Sequence, residues 1–84
     1  MDAYSAVVEC AKREGVPVTH IGPAMGKNRA YVSGGVNQGG APRADTLAKM
    51  LEICGYALCA VPKSLVDESM VRIDAVRLRD SRMD

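Results

Sequence analysis

The strongest constraint on this chain lies between Val18 and Gln38, where VTHIGPAMGKNRAYVSGGVNQ sets a glycine between two short stretches of helical spacing. In the first stretch Ile21 and Met25 stand four residues apart with the small Gly22 and Ala24 beside them, the apolar face of a helix. Gly26 follows, and glycine enters the left-handed backbone region without the steric cost other residues meet. Asn28 is then placed as an N-cap, its side-chain oxygen accepting from N–H groups of the next turn. The second helix keeps Val32 and Val36 on one face and shows Asn28, Arg29, Ser33 and Asn37 on the other. Helix, tight turn, helix is what this spacing predicts, with the polar face of the second helix turned outward.

The flanks supply the rest of a small core. With 84 residues there is room for one such core and not for two. It must be built from Val, Leu, Ile, Met, Ala and Cys, since Phe and Trp are absent. A core that modest gains from the burial a dimer partner supplies. Asp2 to Glu14 reads as the first helix, with Ala3, Ala6, Val7, Cys10 and Ala11 as its buried stripe. Asp2 caps its start, and Gly15 with Pro17 ends it. Thr19 is the expected cap of the second helix, and Pro23 falls close enough to that cap for its missing N–H to cost little. Gln38 to Asp45 is turn chemistry. A further helix is expected from Asp45 or Thr46, with Leu47, Met50, Leu51 and Cys54 on one face and Gly55 at its end.

Tyr56 to Val61 (YALCAV) is apolar at almost every position and is stopped by Pro62, which predicts a short strand. A lone strand leaves its edge open, so a partner is needed. Met70 to Ala75 (MVRIDA) alternates Val71 and Ile73 with Arg72 and Asp74 and is the preferred partner, with PKSLVDES as the connection. The same residues also fit a continuous helix through Val66, Met70, Ile73 and Arg77. After Arg77 the charges crowd and fraying is expected. The expected organisation is a helical domain over 1–62, followed by a hairpin strand and tail over 63–84 that has a possible dimerising role.

The pattern of Ile21 with Gly22, Met25 with Gly26, and Val32 six places on resembles the lambda-repressor/Cro-like (XRE-type) helix-turn-helix domains. TLAKMLEICGYAL is similar to the segment that follows the motif in that family, and the resemblance spans roughly Ala3 to Val61. It implies a mostly α fold, a compact bundle of four to five short helices, here with a short C-terminal β-strand or hairpin. It also implies a regulator of transcription that binds double-stranded DNA, a dimer setting two helices into successive major grooves of a palindromic site. Asn28, Arg29, Ser33 and Asn37 fall where the family places base-contacting residues. The chain departs from the pattern at Lys27, where an apolar residue is more usual, and at Gly34 and Gly35 inside the second helix.

Residue chemistry leads the same way. No Asp or Glu occurs between Glu14 and Asp45, while Lys27, Arg29 and Arg43 fall inside that window. A locally acid-free surface on a chain of net charge +1 suits an approach to phosphate. Arg29 is the leading base reader, because a guanidinium bonds guanine O6 and N7 together. Asn28 and Asn37 match adenine, Ser33 either kind of base, and Gln38 the same if the helix reaches it. Lys27, Thr19, His20, Tyr31 and Arg43 are candidates for phosphate contact. Each has a plainer alternative: Asn28 as a cap alone, Tyr31 as a core or dimer aromatic, Asn37 and Gln38 as loop residues, His20 and Arg43 as solvated positions at helix starts. The two glycines leave a choice as well: either the helix ends near Ser33, or bare backbone approaches the DNA closely.

Enzyme chemistry has little footing, since the single His20 has no evident partners. Three cysteines form no disulfide framework or metal-ligand pattern, and no cofactor is expected. No signal peptide or membrane span is expected, which points to a cytoplasmic chain with reduced thiols. Tyr56, Leu58 and Val61 are the expected dimer contacts. The rival reading keeps the scaffold without DNA binding, as a protein-interaction module or as the antitoxin half of a toxin–antitoxin pair.

Overall fold

Asp2 starts the first helix as its position predicts: its carboxylate accepts from the Ser5 N–H at 2.8 Å, which holds its pKa below the usual carboxylate value. In the computed structural model, which describes residues 1–74, this helix is α1, Ala3–Glu14. Gly15 ends it at φ 69°, and the Val16 N–H returns to the Ala11 carbonyl at 2.9 Å. A 3-10 turn, Val18–His20, runs straight into α2, Ile21–Ala24. Then come α3, Tyr31–Gln38, and α4, Ala44–Ile53, with a second 3-10 turn at Lys63–Leu65. The described chain is thus mostly helical, four α-helices around one core.

That core follows the apolar spacing with two corrections: Tyr4 joins it, although no aromatic is expected there, and Ala3 is only partly buried. Tyr4, Val7, Cys10 and Ala11 of α1 meet Ile21, Val32, and Leu47, Met50, Leu51 and Cys54 from the α4 segment. Ile21, Met50, Val7, Val32 and Cys10 are its largest fully buried side chains. α1 lies against both α3 and α4, and α2 bridges the same pair. The contact between α1 and α3 is close because Gly35 faces Tyr4: a Cβ there would fall 2.5 Å from the ring.

Two local expectations, the Thr19 cap and the C-terminal strand, are corrected, and the start of α4 falls within one residue of its expected place. Thr19 caps nothing, since it sits inside the 3-10 turn and no side chain caps α2. The 3-10 turn feeds α2 directly and leaves no isolated helix start to cap. α4 begins at Ala44, slightly earlier than expected, with Arg43 in an extended conformation before it and Asp45 in its favoured first turn. The predicted strand and hairpin do not form among the described residues. Tyr56–Val61 and Val71–Asp74 carry no strand pairing. Asp74 instead bonds through its N–H to the Met1 carbonyl at 3.0 Å, and its carboxylate pairs with the N-terminal ammonium. The 3-10 turn after Pro62 and a further turn held by Asp67 route the connection away from a tight hairpin. The two segments come to line one groove of about 530 Å³. The alternative helix is absent from residues 66–74 as well; its remainder, together with the frayed end expected after Arg77, lies outside the described residues.

Candidate nucleic-acid interface

The turn between α2 and α3 is closed by backbone bonds that leave no slack. Gly22 offers its carbonyl to the N–H groups of Met25 (2.9 Å) and Lys27 (2.8 Å), and Gly26 takes φ 78° to turn the chain. The chain then folds back on α2 so tightly that a Cβ on Gly22 would stand 2.0 Å from the Asn28 carbonyl oxygen. That same carbonyl accepts from the Tyr31 N–H at 3.2 Å, while the Asn28 side chain accepts from the Ala30 N–H at 3.0 Å. Asn28 therefore shapes the turn into α3 but is not its N-cap, a correction to the expectation: the helix starts only at Tyr31, Ala30 stands at the N-cap, and no side chain caps it. Arg29 accordingly lies in the turn ahead of α3 and not on the helix, a correction to the expected placement.

The choice over the glycines is also settled: α3 continues through Gly34 and Gly35 to Gln38 and ends at Gly39, φ 66°. At about 100° per residue, Val32, Gly35 and Val36 share the inner face, and Ser33, Gly34 and Asn37 share the outer one. Val32 is fully buried and Val36 packs against the core. Asn28, Arg29, Ser33, Asn37 and Gln38 are all exposed. The Ser33 hydroxyl donates to the Ala30 carbonyl at 3.3 Å and keeps its acceptor lone pairs for a ligand.

The expected phosphate contacts divide. Lys27 is exposed, its ammonium 5.9 Å from the Tyr31 ring centroid, a cation held over an aromatic face. Tyr31 is half-buried and meets Tyr4 edge-on at 6.4 Å, so the packing alternative describes its ring. Among the described residues neither Lys27 nor Arg29 pairs with a carboxylate, whereas Arg43 pairs with Asp45 at 3.3 Å in an exposed contact. Thr19 and His20 stand exposed on the 3-10 turn. Lys49, which the sequence does not single out, lines one cleft with Lys27, Tyr31, Thr46 and the acidic Glu52. Its only sequence signal is a place opposite Leu47 and Leu51 on an amphipathic helix.

The expected dimer contacts divide too. Tyr56 serves its own chain, half-buried, with its hydroxyl donating to the Glu14 carboxylate at 3.1 Å. Burial and that acceptor raise the phenol pKa and keep the donor protonated. Leu58 and Val61 are exposed by 41% and 36% and line the groove that also holds Val71 and Ile73. Cys10 and Cys54 are buried, and burial raises both thiol pKa values, which suits packing and not nucleophilic work. Cys59 is exposed. No cluster that fits a metal occurs among the described residues, and no described helix is long and apolar enough to cross a membrane.

Compared with family models, curated proteins and solved structures, the chain matches none of them.

Proposed function

We propose that this protein is a sequence-specific, double-stranded DNA-binding regulator of the lambda-repressor-like type, acting as a repressor that occludes its site. The observation that carries this reading is the outer face of the α2–turn–α3 unit. Asn28, Arg29, Ser33, Asn37 and Gln38 are exposed there, Lys27 and Arg29 pair with no carboxylate among the described residues, and the sequence holds no carboxylate between Glu14 and Asp45. Amides and a guanidinium are the groups that read base edges, and cations with hydroxyls hold the phosphates beside them. The scaffold fixes those groups, because the turn that presents them is locked to α2 at Gly22.

Titration of duplex binding against salt is the test. Each neutralised phosphate releases counterions, so log K falls against log salt with a slope of about −0.9 per phosphate. A dimer engaging about six phosphates loses roughly a thousandfold in affinity between 50 and 200 mM salt. Affinity for duplex that is flat across that range, or absent at low salt, would overturn the reading.

The dimer has its own support. Among the described residues Ala57–Val61 make no backbone–backbone hydrogen bond, and an apolar segment whose N–H and C=O groups lack such partners is a site for strand addition. Two copies paired there bury Leu58 and Val61, and a two-fold axis spaces the half-sites about 34–36 Å apart. Leu58→Asp and Val61→Asp are each expected to give monomers by sedimentation, with duplex affinity falling as the second half-site is lost. Dimers of unchanged stability in both variants would refute the assignment.

The protein-interaction reading is favoured by one observation, the exposure of Leu58, Val61, Leu65 and Met70 along the C-terminal segment. It predicts salt-insensitive binding to a protein, a toxin being one such partner, with no enrichment of any duplex.

A further inference from the structure

Two adjacent glycines in one eight-residue helix are costly, since glycine is the weakest helix former after proline, and the two have different explanations here. Gly35 is required by the fold: its missing Cβ is the space the Tyr4 ring occupies. Nothing among the described residues requires Gly34. Its φ is ordinary, the Gly34 N–H makes a normal helical bond to the Ala30 carbonyl at 2.7 Å, and an added Cβ meets no atom within 4 Å. Gly34 lies on the outer face of α3, beside Ser33 and Asn37 and one turn before Gln38, within the surface proposed to read DNA.

Resting on that reading, we infer that Gly34 sets how deeply α3 seats in the major groove, its bare Cα lying in contact with the duplex where a methyl group does not fit. The segment from Lys27 to Arg43 carries three cations and no carboxylate. Asp45 pairs with Arg43 and Glu52 shares a cleft with Lys27 and Lys49, but Lys27 and Arg29 pair with no carboxylate among the described residues. A duplex is therefore the occupant this face suits on grounds of charge. Closer seating brings the short Ser33 and Asn37 side chains within reach of base edges. Asn and Ser reach less far from a helix axis than Gln or Arg, so a bare backbone between them extends what they can read.

The test compares the wild type with Gly34→Ala and Gly34→Gln, and includes Arg29→Ala as a reference. Melting is followed for each, as is affinity for the duplex that the wild type enriches from a random pool. Gly34→Ala is expected to raise Tm by about 4–8 °C, because it removes a helix penalty and fills open space. Its affinity for the duplex is expected to fall about tenfold or more, and that of Gly34→Gln further. A stabilised Gly34→Ala that binds within about twofold of the wild type, while Arg29→Ala binds weakly, overturns the inference and leaves the DNA reading standing. A lower Tm in Gly34→Ala also overturns it, because the fold would then require the glycine. A wild type that enriches no duplex overturns both.

Discussion

Gly22→Ala is expected to unfold much of the domain at moderate temperature. The added Cβ would stand 2.0 Å from the Asn28 carbonyl oxygen and 3.0 Å from the Tyr31 Cβ. The first of these is backbone, so no side-chain rotation relieves it. The carbonyl cannot retreat without cost either, because it already accepts the Tyr31 N–H that closes the entry to α3. Moving it shifts Tyr31 and Val32, and Val32 is among the largest fully buried side chains. Overpacking of this kind costs about 3 kcal/mol or more, a large part of the stability of a domain this small. The expected fall in Tm is about 12–24 °C, read from thermal melts alongside the wild type. The Gly35→Ala variant should fall less, since the Tyr4 ring it meets can tilt. A Gly22→Ala protein melting within a few degrees of the wild type would mean that α2 and the turn are not locked together as described.

These contacts show why part of the fold is legible in the sequence and part is not. The helices that rest on periodic apolar positions and a local end signal are readable: α1 has Asp2 and Gly15 at its ends, and α4 has Leu47, Met50, Leu51 and Cys54 before Gly55. The turn at Gly26 is readable for the same reason, a positive φ that only glycine adopts cheaply. What sequence cannot carry is the answer to which atom stands opposite a small residue. Gly34 and Gly35 are equivalent as letters, and only the position of Tyr4, thirty-one residues upstream by the numbering, separates them. The extended C-terminal segments fail for a related reason. YALCAV has the composition of a strand, but pairing is a property of two segments, and the turns around Lys63–Leu65 and Asp67–Ser69 place its candidate partner along a shared groove instead. Arg29 lies in the turn and not on the helix because the Asn28 side chain accepts from the Ala30 N–H and closes a local turn of its own, and α3 begins only at Tyr31, with Ala30 and not Asn28 at its N-cap.

That displacement bears on the largest binding effect expected of the molecule. Arg29→Ala is expected to abolish enrichment of one palindromic duplex while leaving the melting temperature within a few degrees of the wild type. Arg29 is exposed and pairs with no carboxylate among the described residues, so its removal leaves no buried group unsatisfied. A bidentate contact between arginine and guanine contributes about 1–3 kcal/mol of discrimination. The proposed two-fold dimer would make the contact twice, so the loss is doubled in free energy and squared as a ratio, from about thirtyfold to about twenty-thousandfold. The turn position leaves the guanidinium free to act from the N-terminal end of α3, the end that carries base contacts when a helix of this kind lies in the major groove. Lys27→Ala supplies the contrast: loss of a phosphate contact weakens all sequences alike and reduces the salt slope by about one per subunit. If Arg29→Ala behaves as Lys27→Ala does, Arg29 is a backbone contact and base reading passes to Ser33 and Asn37 on α3. If Arg29→Ala retains the wild-type site preference at full affinity, the outer face of the turn does not touch DNA.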